Sequence, residues 1–119
     1  MGIQIFGVAK SFDTKKAERW FSERRIPFQA VDLKEKGISP GELDSVIVCL
    51  AKTEGGREGA IEALIDKKNK EYASIAYLGE EDKAQKLLDN PLLLNMPVVR
   101  NGKNNASVGF KPDLWKDWN

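Results

Sequence analysis

Histidine is missing from all 119 residues, and cysteine occurs once, at Cys49. The first absence removes Ser-His-Asp and Cys-His catalysis together with every histidine-based metal site. The second rules out an internal disulfide and a Cys-x-x-Cys redox pair. Cys49 lies in the apolar stretch Ser45-Val46-Ile47-Val48-Cys49-Leu50, where it reads as a small buried hydrophobe. No apolar run approaches the roughly 20 residues of a membrane span, and the N-terminus lacks a signal-peptide core. Net charge is only +1, from 19 basic and 18 acidic residues, which favours neither nucleic acid nor a membrane surface as partner. These features suit one cytoplasmic domain spanning residues 1–119, without repeats, linkers or low-complexity tracts.

What is present begins with a short apolar strand, Ile3 to Val8, followed by Ala9-Lys10-Ser11-Phe12-Asp13-Thr14. A helix is predicted from about Phe12 to Arg25, with Ser11 as N-cap and Asp13 in the first turn. Ala17, Trp20 and Phe21 form its buried stripe, and Pro27 is read as its terminator. Residues Pro27 to Leu33 alternate like a strand, so the opening reads as a right-handed parallel βαβ unit. Ser39 and Glu42 make a capping box around Pro40, for a helix to about Ala51. Thr53-Glu54-Gly55-Gly56-Arg57 reads as a mobile loop. Short helices are predicted at about Glu58 to Asp66, Glu71 to Tyr77 and Glu80 to Leu88.

The last third is more sharply punctuated. Met96 to Arg100 is a strand, Asn101-Gly102 a type I′ turn signal, and Ala106 to Phe110 the returning strand, after a loop slightly longer than two residues. A closing helix begins at Pro112, with Trp115 and Trp118 expected to pack on the sheet; one of them is alternatively an exposed contact. The class is α/β, a four-stranded mixed sheet with helices on both faces.

A nucleophile at the strand-to-helix junction around Ser11 faces the positive end of a helix, where a thiol loses its proton readily. A hydroxyl gains far less and still needs a base. Beside Ser11, Lys10 and the first free N–H groups of the helix form a weak anion site. The bland reading of Ser11 is a helix cap worth about 1 kcal/mol over alanine.

The stretches Phe6 to Ala17, Ile26 to Leu33 and Asn90 to Gly102, continuing to Val108-Gly109-Phe110, resemble the ArsC-type arsenate reductase and Spx family over essentially the whole chain. The resemblance implies a thioredoxin-like fold with a helical insertion. It puts Ser11 at the redox-cysteine position, as natural loss and a Cys-to-Ser replacement explain equally well. It puts Thr14 where Spx-like members have a second cysteine and monothiol relatives Ser or Thr. Pro97 takes the place of the cis-proline facing that loop, and the Met96 backbone the place that pairs with a substrate peptide or glutathione. Where arsenate reductases carry arginines for the oxyanion, this chain has Met96 and Phe110, followed by Lys111, and Arg57 is the candidate for a third arginine. The resemblance therefore implies a glutaredoxin-like scaffold, inactive without its cysteine, with no resident cofactor and with glutathione or a protein thiol as reaction partner. The alternatives are an Spx-like regulator binding the RNA polymerase α subunit and a non-catalytic protein that holds glutathione or an anion.

Overall fold

The computed structural model describes residues 2–118. Its first strand, β1 (Ile3–Gly7), leads into α1 (Phe12–Glu23) and then β2 (Phe28–Asp32), which pairs parallel with β1 in the register Ile3 to Phe28. The parallel βαβ unit is thus present. Helix α1 stops two residues short of the expected Arg25, and Pro27 is not what ends it. Ile26 N–H donates to the Phe21 carbonyl (2.9 Å) and Arg25 N–H to that of Ser22 (3.0 Å), with Arg25 left-handed at φ 58°. This is a Schellman closure built on an arginine where glycine is usual.

The capping box forms as expected. Ser39 Oγ accepts from Glu42 N–H (3.1 Å), while Ser39 N–H donates to the Glu42 carboxylate (3.0 Å). It starts α2 (Pro40–Glu54), which runs three residues past Ala51. The predicted loop Thr53–Arg57 is not a loop. Helix α2 continues to Glu54, Gly55 turns the chain at φ 86°, and α3 (Gly56–Leu64) starts at once. A side chain at Gly59 would collide with the Glu54 carbonyl, so the elbow closes only around a glycine there. The glycines that read as flexibility instead make a tight helix–helix corner.

Two more helices follow, α4 (Tyr72–Ile75) and α5 (Glu80–Asp89), then a 3-10 turn over Pro91–Leu93. Strands β3 (Val98–Asn101) and β4 (Asn105–Val108) form the closing hairpin, and α6 (Pro112–Trp115) is the last helix among the described residues. The hairpin is not type I′: Gly102 has φ 55°, but no second left-handed residue follows it. A loop over 102–104 connects Asn101 with its cross-strand partner Asn105, with Asn104 N–H donating to the Asn101 carbonyl. The sheet order is β2-β1-β3-β4, mixed, with β3 antiparallel to β1.

Alternation along β1 and β3 splits the core in two. Phe6 and Val98 face α2, α3 and α5 with Leu43, Val46, Ile47, Ile61, Leu64 and Leu87. Ile5 and Val99 face α1 and α6 with Ala17, Phe21 and Trp115. Each fully buried Val, Leu, Ile or Phe side chain among these contributes about 1.5–3 kcal/mol. Trp20, expected in the buried stripe of α1, is half-buried at the edge of the second cluster and stacks edge-on with Trp115. Trp115 is 2% exposed, and its indole N–H donates to Ser107 Oγ (2.8 Å); Trp118 packs against the same cluster half-exposed.

Cys49 is corrected too. Because its apolar run is helical, the run wraps around the axis: Val46, Ile47 and Leu50 are buried, whereas Val48 is exposed and Cys49 half-buried. The thiol lies 3.4 Å from the Lys103 carbonyl in the hairpin loop. Among the described residues no helix is long and apolar enough to cross a membrane.

Candidate functional site

Ser11 adopts extended backbone (φ −77°, ψ 115°) between β1 and α1 and caps the helix as its sequence predicts. Its Oγ accepts the Thr14 N–H (3.2 Å) and the Thr14 hydroxyl (2.8 Å). The Ser11 carbonyl accepts from Lys15 N–H, and its own N–H donates to Val8. Both polar groups of Thr14 therefore converge on one atom at the positive end of α1. Thr14 is only 4% exposed, so that hydroxyl has little access to water and depends on Ser11 as its acceptor.

From the other half of the chain, the segment before β3 comes alongside. Ser11 and Met96 line one open depression of about 350 Å³, with Asp66, Lys68, Leu92, Leu94 and Asn95 as the other walls. The Met96–Pro97 peptide bond is cis. Pro97 is buried, and its carbonyl accepts from Gly109 N–H (2.8 Å), tying this segment to the end of β4. Among the described residues Met96 makes no backbone hydrogen bond, so its amide group is available to a ligand.

Asn95 holds the segment in place. Its side-chain amide donates to the carbonyls of Ala63 and Ile65 (both 2.9 Å), and its N–H to Leu64 (2.8 Å), satisfying the open end of α3. Asp66 N–H donates to the Leu93 carbonyl (2.7 Å) beside the Ile65–Leu94 bridge. Asp66 and Lys68 reach the depression through these long-range contacts, and nothing in their local sequence marks them. Leu92, Leu94 and Asn95 fall in a stretch that carries the family resemblance, but no local pattern gave them a role.

Lys10 is exposed and does not line the depression. Thr14 meets the site through Ser11 and also borders a separate cleft against β2, with Lys15, Glu18 and Asp32. Arg57 is elsewhere. Its guanidinium pairs with Glu81 (2.5 and 3.1 Å) and with Asp44 (3.3 Å) on α5 and α2, so the third-arginine reading of Arg57 does not hold. These partners, the Glu81 hydrogen bond foremost, hold its pKa above the ordinary arginine value. Phe110 lies edge-on to Trp115 (5.4 Å), with Lys16 Nζ 4.5 Å above its ring. The depression is thus lined by no arginine, and its charged side chains are Asp66 and Lys68. Among the described residues no cluster of acidic or thiol side chains is arranged to hold a metal ion.

Such a site can hold a ligand against an apolar wall and hydrogen-bond it through a free backbone amide. Phe12 (75% exposed) follows Ser11 directly, and Leu92 (41% exposed) borders the depression, so both present apolar surface near it.

No protein-family model and no curated protein sequence matches the chain. Solved structures do. An arsenate reductase from Vibrio cholerae is 19% identical and superposes with a TM-score of 0.78, covering 96% of this chain and 94% of its own. An arsenate reductase (ArsC) related protein from Brucella melitensis is 20% identical, with a TM-score of 0.66 over 99% and 94%. The YFFB (PA3664) protein is 23% identical, with a TM-score of 0.77 over 96% of each chain. At these identities the likeness concerns the backbone, and it establishes that this chain has the thioredoxin-like α/β fold of arsenate reductases and arsenate-reductase-related proteins.

Proposed function

We propose that this chain is an arsenate-reductase-related, glutaredoxin-like protein of the cytoplasm whose thiol-redox position is occupied by Ser11, leaving it inactive as a thiol enzyme. The observation that carries the reading is the convergence of the Thr14 N–H and hydroxyl on Ser11 Oγ, in a depression shared with Met96. A sulfur in place of that oxygen would receive both donors and the positive end of α1, which together stabilise a thiolate. Among the described residues Ser11 Oγ donates to no base, so the hydroxyl is not activated as a nucleophile. Reduction of an oxyanion is not part of the proposal, because the depression lacks the bidentate donors such a substrate requires.

The test is intact-mass spectrometry of the protein and its Ser11→Cys variant after incubation with oxidised glutathione at neutral pH. The variant's thiolate attacks one sulfur of the glutathione disulfide, forms a mixed disulfide and releases the other glutathione as thiolate. Rapid addition of one glutathione to the variant, and none to the parent, is the expected result. Half-buried Cys49 serves as internal control, since it is present in both proteins. No addition to the variant beyond that of the parent would discard the reading.

The exposed Phe12 and Leu92 favour a second reading, a binding role without turnover in which a protein such as the RNA polymerase α subunit covers this surface. Capture of purified α subunit at micromolar concentration, lost on Phe12→Ser, is its expected signature.

A further inference from the structure

The sheet order β2-β1-β3-β4 leaves two edge strands, and they differ. Strand β4 is buried or half-buried throughout, whereas Gln29, Ala30 and Asp32 of β2 are exposed. One contact fixes the hydrogen-bonding phase of β2. Leu33 N–H donates to the Gly7 carbonyl (2.9 Å), and Gly7 is the parallel partner of Asp32. Residues 29, 31 and 33 therefore turn their backbone groups towards β1, while Phe28, Ala30 and Asp32 turn theirs outward. The Asp32 carbonyl accepts from Glu35 and Lys36 N–H in the following turn. The outward N–H groups and the Phe28 and Ala30 carbonyls have no partner among the described residues.

Nothing within the strand protects this edge. Exposed edges are usually blunted by a lysine, a proline or a bulge. Phe28 to Asp32 contains neither residue, and its register with β1 is uninterrupted. Alternation sends Phe28, Ala30 and Asp32 to the α1 face of the sheet, and Gln29 and Val31 to the α2 face. On the α1 face a cleft of about 240 Å³ runs beside Ala30 and Asp32, with Lys15 and Glu18 on its helical wall. Neither Lys15 nor Glu18 has an ion-pair partner among the described residues.

We propose that the β2 edge docks a second copy of this chain, antiparallel, about a two-fold axis at Ala30. Ala30 then lies opposite its own copy and Phe28 opposite Asp32, so every outward N–H meets an outward carbonyl. No like charges stand directly opposite in the paired strands, because Asp32 faces Phe28. A slip by two residues leaves the outward groups of Phe28 or of Asp32 unmatched, which singles out this register. The helices match as well. Thr14 packs on Gly7, level with Asp32, so Glu18, one turn further along α1, lies level with the axis. Across the axis Glu18 of each copy reaches Lys15 of the other, giving two crossed pairs. A strand of another protein would satisfy the same backbone groups, but the matching of hydrogen bonds and charge about one axis points to a copy. The surface is separate from the depression at Ser11, which shares no lining residue with this cleft. A five-residue strand with one helix flank belongs to the small interfaces, so the association is weak, roughly 10–100 μM.

Sedimentation equilibrium of the full chain, from about 10 μM to about 1 mM, tests the proposal. The expected result is a mass that rises with concentration towards that of a dimer. Ala30→Pro deletes an outward N–H twice per dimer and no bond to β1, a change that an edge strand tolerates, and should weaken association about tenfold or more. Ala30→Glu and Ala30→Lys each set like charges opposite one another across the axis, so each alone should stay monomeric. An equimolar mixture of the two should dimerise again, which also shows that both are folded. A parent that stays monomeric at the highest concentration overturns the proposal and leaves the edge to an extended segment of another protein. A dimer that persists in Ala30→Pro, or a mixture no more associated than its components, overturns it too.

Discussion

The side chain of Thr14 fills the space where Gly7 would carry a Cβ: an atom built there would collide with Oγ1, Cγ2 and Cβ of Thr14. The last residue of β1 and the first turn of α1 are therefore in contact without an intervening side chain, and this closeness turns Thr14 towards Ser11. Gly7→Ala should destabilise the fold by about 1–3 kcal/mol, as overpacking does in a tight core. Chemical denaturation measures it. Thr14→Ala in the same chain should recover part of the loss, and a Gly7→Ala protein as stable as the parent would contradict the packing described.

Ser11→Ala removes a helix cap, at about 1 kcal/mol. It also strips the buried Thr14 hydroxyl of its acceptor, adding about 1–3 kcal/mol. Thr14→Val, similar in shape and without the hydroxyl, should make a subsequent Ser11→Ala cheaper. The double-mutant cycle reads this coupling directly, and an additive cycle would show that the two hydroxyls are independent.

Arg25 occupies the left-handed position that closes α1. A side chain there costs about 1–2 kcal/mol, partly offset by the greater freedom glycine has in the unfolded chain. Arg25→Gly should therefore raise stability by about 0.5–1 kcal/mol, visible as a later denaturation midpoint with an unchanged slope.

Glu62 on α3 pairs with Lys83 of α5 (2.5 Å) and Lys67 (3.4 Å), and only 12% of the Lys83 side chain is exposed. The Lys83 hydrogen bond leads the causes that hold the Glu62 pKa below its ordinary value of 4.5. A carboxylate with a depressed folded-state pKa stabilises fully above its unfolded value, and the contribution is lost as pH falls through the folded value. Glu62→Gln should therefore be less stable than the parent at pH 7. The gap should shrink once pH drops below 4.5 and close below the folded pKa. Denaturation curves across that range check it, and a gap independent of pH would mean that the charge of Glu62 is not what Lys83 requires.

Much of this protein is readable along the chain because the signals are local. Ser11 caps α1 through a contact three residues away, and Ser39 with Glu42 closes its box over the same distance. The alternation of β1 likewise foretells that Ile5 and Phe6 enter opposite cores. Such features depend on neighbours that any folded form of the segment would keep. The absence of histidine and of a second cysteine holds in every conformation of the chain, and by itself it narrows the chemistry open to the protein.

Tertiary structure decided what needs distant partners. Gly55-Gly56 has the composition of a loop, yet packing of α2 against α3 makes it a corner. Arg57 became an ion-pair residue because Asp44 and Glu81 converge on it from two other helices. Asp66 and Lys68 joined the depression only when the end of α3 was fastened to Asn95 and Leu93. Arg100, a strand residue without a local motif, acquired its acceptors Gln4 and Ser45 from strand register and from the packing of α2 on that face of the sheet. Short-range hydrogen bonds and periodicity are written in adjacent residues, whereas the surroundings of a side chain are supplied by segments far along the chain that meet it only when the core closes.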